Sequence, residues 1–322
     1  MVKVLVVGAT GFLGSAIAKE AASKGHKVTA LVSSESQSKK KEDVQALKSA
    51  GIEIATGSLE SNTHELVNVL KTVEVVISAV NGPALALQTR LVEAAKQAGT
   101  IKQFFPSEFS AFGAIGEDSV PLLFGPKAKT RQAIEAAGVP HTYVVSYGLA
   151  SYWANGLGEL SQKDRVPPAP TGDNKVPYFG TGRTKFVINM EHDIAAYTVM
   201  AIGDERVINK QLHIRPPLNM LSQHDLIYIY EDKVFRQLCI GNRLIRSPVT
   251  ESELDAQISG APDDIKRTFL QLQKAFTISG TMTPLGANDV EASAIYRDYH
   301  YTPIAKYIND LISRFSAQLA EE

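Results

Sequence analysis

Three glycines near the start of the chain have the spacing of a nucleotide loop. Gly8-Ala9-Thr10-Gly11-Phe12-Leu13-Gly14 follows the apolar run Val4–Val7 and opens an alanine-rich stretch with helical spacing. A turn from strand to helix needs Gly8 for the tight bend. Gly11 lets the backbone approach a pyrophosphate, and Gly14 lets the helix lie close on the strand. The first helical turn then offers unpaired N–H groups and a positive dipole end to phosphate. Thr10, Phe12 and Leu13 are expected to touch the nucleotide with the glycines.

The end of the second strand selects the cofactor. NAD-binding folds place an acid there for the ribose hydroxyls. This chain reads Val32-Ser33-Ser34, with Glu35 slightly beyond the expected position and Lys39 and Lys40 close behind. Hydroxyls and lysines suit a 2′-phosphate better than a diol, so NADP(H) is the expected cofactor; the plainer reading is that the lysines start a helix. Ser58, after the third strand, should border the adenine. Ala79, Val80 and Asn81, after the fourth, should pass beneath the riboses.

Other chemistry is not supported. The seven histidines do not cluster at metal-ligand spacing, and no metal is expected. His192 and Asp193 fit a helix start, His141 a packed strand start, and Glu108 an anchor for a loop near the cofactor. No Gly-x-Ser-x-Gly elbow appears, and no Tyr-x-x-x-Lys: Tyr301 and Lys306 are five apart. The only cysteine, Cys239, lies in the apolar run Leu238-Cys239-Ile240 and reads as a buried, inert thiol. A reducing cytosol fits, and a cytoplasmic location is expected. The net charge is −1, from 33 basic and 34 acidic residues, which argues against nucleic acid or an anionic membrane as partner. Val4–Val7 is too short for a signal-peptide core, and no apolar stretch approaches the roughly 20 residues of a membrane helix.

These residues need a scaffold. Val2–Val7, Lys27–Val32, Ile52–Ala55, Val73–Val80, Gln103–Phe105 and His141–Val145 read as strands. Between them Gly14–Lys24, Lys41–Ala50, Asn62–Leu70, Ala84–Ala98 and Ala128–Ala137 have helical spacing. The alternation predicts an α/β fold, a doubly wound parallel Rossmann sheet. After Leu149 the rhythm breaks. Residues 163–183, with Pro167, Pro168, Pro170, Gly172, Pro177, Gly180 and Gly182, read as one long punctuated loop. A strand at Lys185–Ile188, a helix from Glu191 and a strand at Leu212–Ile214 follow. From Ser222 onward the pattern is mainly helical, ending in a helix over Thr302–Phe315. Residues 1–150 are expected to form the nucleotide-binding domain, with 185–215 returning to it. Residues 151–184 and 216–322 should form a smaller, mainly helical substrate-binding domain.

At this point a family becomes visible. The loop GATGFLG, the segment Gln103-Phe104-Phe105-Pro106-Ser107-Glu108-Phe109, and the stretch from Lys127 through Arg131 to Ala136, followed by His141-Thr142-Tyr143-Val144, resemble the isoflavone reductase-like group. Glu191-His192-Asp193-Ile194-Ala195 and Val290–Tyr296 resemble it too. That group includes phenylcoumaran benzylic ether, pinoresinol–lariciresinol and isoflavone reductases, among the NmrA-like atypical short-chain dehydrogenases. The resemblance implies an NADPH-dependent reductase of secondary metabolism, acting on an aromatic or conjugated small molecule, with a lysine acid/base at the start of a helix. By that match Lys127 is the catalytic residue and also touches the cofactor, as do Ser107 and Tyr147. Lys129, two residues on, should point elsewhere around the helix. Phe109, Tyr147, Leu149, Tyr152 and Trp153 would form the substrate wall.

The chain departs from the family at two places. Ser33 stands where the family often has Arg, and Ser146-Tyr147-Gly148-Leu149 where the plant enzymes commonly read Ser-Asn-x-Phe. Two other readings stay open: an NmrA-like redox sensor that binds NADP(H) without catalysis, often lacking the lysine, and a quinone reductase of the same superfamily. Monomer and homodimer both stay open.

Overall fold

The structure is a computed structural model and describes residues 1–158, 175–238 and 244–321. The apolar runs of the first half become parallel strands β1 (Lys3–Val7), β2 (Lys27–Val32), β3 (Glu53–Thr56), β4 (Val75–Ser78) and β5 (Gln103–Phe105), in the order β3-β2-β1-β4-β5. β6 (Thr142–Val145) extends the array: Phe104 bridges to His141, and its N–H donates to the Pro140 carbonyl at 2.8 Å. β7 (Gly148–Leu149), β8 (Lys175–Phe179) and β9 (Phe186–Asn189) come next, then β10 (Lys210–His213), which returns beside β6 in parallel. β11 (Met220–Leu221), β12 (Ile245–Val249) and β13 (Asp289–Glu291) complete the strands, and β13 pairs with β10.

The helices are α1 (Phe12–Ser23), α2 (Ser34–Lys39), α3 (Lys41–Ser49), α4 (Thr63–Leu70), α5 (Gln88–Ala98), α6 (Phe112–Ile115), α7 (Pro121–Ala137), α8 (Ala150–Trp153), α9 (Glu191–Met200), α10 (Gln223–Leu238), α11 (Glu251–Ser259), α12 (Asp264–Lys274), α13 (Ala292–Ile295) and α14 (Ile304–Glu321). Strand β1 shows why the first half is so apolar. Successive side chains face opposite sides of a sheet, and here both sides are covered. Val4 and Val6 join a core with Ile17, Ala18 and Ala21 of α1, Leu47 of α3 and Ile194 of α9. Leu5 and Val7 join another with Leu66 and Leu70 of α4, Leu91 of α5 and Ile134 of α7. A third core gathers Trp153, Phe186, Phe276, Leu226 of α10 and Ile304 and Ile308 of α14 around the short β7–β9–β11 sheet.

Two readings of the sequence need correction. The expected helix Ala128–Ala137 starts at Pro121 instead. Pro126 sits inside α7 and forfeits one ladder bond. Phe124, fully buried with its ring 5.4 Å from Phe112, ties down that first segment. The long loop over 163–183 contains strand β8, paired in parallel with β12, with Pro177 opposite Ser247 and Pro248 opposite Tyr178. In a two-stranded ribbon each strand has a free edge, which is where a proline is tolerated. The stretch after Ser222 is mainly helical, as expected, and also supplies β12 and β13. Pro167, Pro168, Pro170 and Gly172 of that loop, and Cys239, lie outside the described residues. Among the described residues no helix is long and apolar enough to cross a membrane.

Candidate active site

The glycine loop leaves no room for side chains. Gly8 has φ +86°, and a Cβ there would lie 2.6 Å from the Ala79 carbonyl oxygen of the adjoining β4 end. At Gly14 a Cβ would lie 2.2 Å from the Gly8 carbonyl oxygen, so α1 could not sit against β1. The Gly11 N–H donates to the Gly8 carbonyl at 2.9 Å and closes the turn. Gly11 is also the N-cap of α1; no side chain caps the helix there, and its first turn carries no acid. That combination is a cradle with a positive helix end and backbone close enough to touch a phosphate. Phe12 beside it is 68% exposed.

A cleft of about 240 Å³ opens over this loop, lined by Gly8, Thr10, Ser33, Ser36, Ser58 and Val80 among others. It lies at the carboxyl ends of the strands where their order reverses between β1 and β4, the place such sheets bind ligands. Ser33 caps α2, accepting from the Ser36 N–H at 3.1 Å. Lys40 comes to the glycine loop, its ammonium donating to the Thr10 carbonyl at 3.1 Å. Lys39 does not come to the loop: its ammonium pairs with Glu35 at 2.7 Å on the exposed side of α2. Ser34 is exposed on that helix, and Asn81 is exposed at the N-cap of the short 3-10 turn that follows β4. Leu13 and Ala79 are packed at the edge of the core beneath the loop.

From the cleft a loop leads to Lys127. Ser107, after β5, donates its hydroxyl to the Val80 carbonyl at 2.6 Å, while its N–H donates to Gln88 Oε1 at 2.7 Å. Ser107 thus fastens this loop to the cleft wall. Two residues of the same loop hold Lys127: its ammonium donates to the Glu108 carbonyl at 2.8 Å and lies 3.3 Å from the Ser110 hydroxyl. Lys127 is 5% exposed. Burial drives its pKa down from 10.5 to about 8; the Glu108 carboxylate opposes the drop and Arg131 adds to it. Lys129 is exposed, as its place on the helix requires. The Glu108 carboxylate pairs with Arg131 at 2.8 Å, and the guanidinium lies between the rings of Phe112 and Tyr143, 4.6 and 4.2 Å from their centroids.

The expected substrate wall divides. Tyr147 has φ +58°, a left-handed conformation uncommon for a tyrosine. It is held at both ends: its N–H donates to the Ser110 carbonyl at 3.1 Å, and its buried hydroxyl lies 2.8 Å from His213 Nδ1. On the other side of the ring, Asp289 Oδ1 is 3.4 Å from His213 Nε2. The hydroxyl therefore points into the protein. Trp153 is also a core residue, stacked on Phe276 at 4.4 Å. It lies against Gly148, where a Cβ would sit 2.7 Å from the indole. Both aromatic side chains are buried. Phe109 and Leu149 are half-buried, and Tyr152 is 37% exposed. Sequence reading passed over Ser36, Gln88, Ser110, Arg131 and His213. Only Arg131 carried a signal, four residues after Lys127 and so on the same helix face.

The NmrA-like family model matches residues 2–308. The chain belongs to the NmrA-like family. Among its relatives, phenylcoumaran benzylic ether reductase IRL1 of Ginkgo biloba is 35% identical over 316 residues, covering 96% of this chain and 99% of that one. Of solved structures, a chain from the crystal structures of pinoresinol-lariciresinol and phenylcoumaran benzylic ether reductases has a TM-score of 0.87 at 33% identity. It covers 96% of this chain and 99% of its own. A chain of AtPrR2 with NADP+ and (+)-pinoresinol has a TM-score of 0.85 at 30% identity, covering 96% and 98%. This NmrA-like chain therefore shares the fold and group that its motifs resemble. Among its described residues no group of histidine, cysteine and acidic side chains could hold a metal.

Proposed function

We propose that the chain is an NADPH-dependent reductase that delivers a hydride to an aromatic or conjugated small molecule, with Lys127 handling the proton. The observation that carries the reading is the buried Lys127 ammonium of α7, its pKa lowered to about 8, held against a loop that Ser107 fastens to the nucleotide cleft. The enzyme is an NADP-dependent oxidoreductase, and its cofactor is NADP(H). Bound in the cleft, the cofactor supplies the hydride. The residues do the rest. Gly8, Gly11 and Gly14, with Thr10, Phe12 and Leu13, take the pyrophosphate; Ser33, Ser34 and Lys40 take the 2′-phosphate; Ser58, Ala79, Val80 and Asn81 flank the adenosine. The Glu108 carbonyl and the Ser110 hydroxyl aim the Lys127 ammonium, leaving one of its three hydrogens for the reacting oxygen or carbon. Phe109, Leu149 and Tyr152 supply the apolar side of the substrate site. Tyr147 and Trp153 support it from the core.

In this reading residues 1–150 and 185–215 bind the nucleotide, and 151–184 and 216–322 form most of the substrate side, apart from β13. The location proposed is cytoplasmic. The test is to follow NADPH oxidation by the purified protein with a panel of aromatic enones, quinones and phenolic ethers. Turnover that vanishes in Lys127→Ala supports the proposal, whereas an unimpaired Lys127→Ala enzyme overturns its mechanism. Tight NADPH binding without turnover across the panel would instead mark a redox sensor.

A further inference from the structure

The contacts around Lys127 close on themselves. Arg131 Nη2 donates to the Glu108 carboxylate, and its Nη1 donates to the Gln211 side-chain oxygen at 2.9 Å. Gln211 of β10 donates in turn to the Asp289 carboxylate of β13 at 2.8 Å. Asp289 faces His213, His213 meets the Tyr147 hydroxyl, and the Tyr147 N–H returns to Ser110, whose hydroxyl is beside Lys127. The backbone gives way to this circuit at Gly113 of α6. A Cβ there would lie 2.4 Å from the Gln211 side-chain oxygen and 3.1 Å from Arg131 Nη2.

We propose that Arg131 is a positioning residue for Lys127. It pins Glu108 by the side chain while Lys127 rests on the Glu108 carbonyl, and Gln211 and Asp289 anchor that grip to β10 and β13. The geometry suits arginine. Its planar fork bridges two acceptors that a single ammonium could not, and the two flanking rings stop it swinging away. Two charges face the Lys127 ammonium among the described residues, Glu108 from the loop after β5 and Arg131 from its own helix. The part that Lys127 plays in proton transfer rests on the function proposed above; the grip on its ammonium does not.

Competitive acetylation of the full chain with acetic anhydride, read by peptide mass spectrometry across pH, follows Lys127 without any turnover. Arg131→Gln removes a cation and leaves the Glu108 carboxylate uncompensated, and both changes favour the ammonium. The Lys127 midpoint is expected to move up from about 8 by about one unit. Arg131→Lys keeps the charge but cannot bridge Glu108 and Gln211. Its midpoint should stay, while acetylation above the midpoint speeds up about threefold, the loosening expected from one net hydrogen bond. Gln211→Leu should do the same. An unmoved midpoint in an Arg131→Gln protein that keeps its native circular dichroism overturns the proposal. If that variant does not fold, wild-type acetylation rates in both Arg131→Lys and Gln211→Leu overturn it instead. Full turnover by Lys127→Ala alongside the expected labelling changes would sink the reductase mechanism and leave the positioning role standing.

Discussion

In the proposed mechanism Lys127 sets function against stability. Holding its pKa near 8 rather than 10.5 means that burying the ammonium costs about 3 kcal/mol at pH 7. Lys127→Met should therefore stabilise the fold at pH 7 by about 1–3 kcal/mol, after the lost hydrogen bonds are counted. Urea unfolding checks this, and a destabilised variant would contradict it. Because the folded-state pKa lies below the unfolded value, the unfolded chain holds more protons between about pH 8 and about 10.5. The Lys127 contribution to stability thus rises with pH across that window, and the variant should lack this rise. Catalysis moves the other way. A reduction consumes a proton with each hydride, so turnover should fall as pH climbs through about 8 and the ammonium is lost. A rate that rises there would mean that Lys127 first removes a proton. Lys127→Ala should lose about 10²–10⁴-fold in turnover. The two lysines beyond β2 should separate as well. Lys40→Ala should weaken NADPH binding about tenfold and leave NADH binding alone, since one phosphate contact is worth a kilocalorie or so. Lys39→Ala, already paired on the surface with Glu35, should change little. Fluorescence titration of both cofactors decides this.

At the level of elements, the glycine loop makes the sharpest contrast. Gly14→Ala must force α1 away from β1, because its Cβ would meet the Gly8 carbonyl at 2.2 Å. We expect a loss of about 2–4 kcal/mol together with NADPH affinity. Gly51→Ala meets nothing within 4 Å and strains only its φ of +77°. It should cost about 1 kcal/mol and leave NADPH binding intact. Equal effects in the two variants would show that helix–strand contact is not what Gly14 provides. The same loop explains why so much was legible beforehand. Steric need is local: a left-handed turn restricts Gly8 and a close helix restricts Gly14, and the restriction can be read without knowing the rest of the chain. Strands β2 and β5 were readable to the residue because burial on both faces leaves little but apolar side chains. The start of helix α7 was missed because the packing of Phe124 on Phe112, which anchors its first segment, lies between residues 12 positions apart and leaves no local signal. Tyr147 and Trp153 looked like pocket residues because an aromatic side chain serves a core and a cleft equally well. Only position decides, here through His213 and Phe276.

The molecule as a whole couples ligand to fold. The cleft is built from β1, β2, β3 and β4, which also carry two of the cores. NADPH at about 100 times its Kd should therefore raise the stability of the intact protein by about 2.7 kcal/mol, visible as a rise in Tm. No shift at saturating NADPH would argue against a preformed cleft. The long-range pairings were the least legible part of the sequence. The three residues of β13 look like nothing in isolation and owe their extended form to β10, 78 positions earlier in the register of Gln211 with Asp289, Leu212 with Val290 and His213 with Glu291. Partners so distant in sequence leave no periodic trace, and they make assembly slow. That bears on how the protein is born. A ribosome makes the nucleotide cleft long before it makes Asp289. The residues that line the cleft are thus translated first, and the last links of the circuit that ends on Lys127 come only near the end of synthesis.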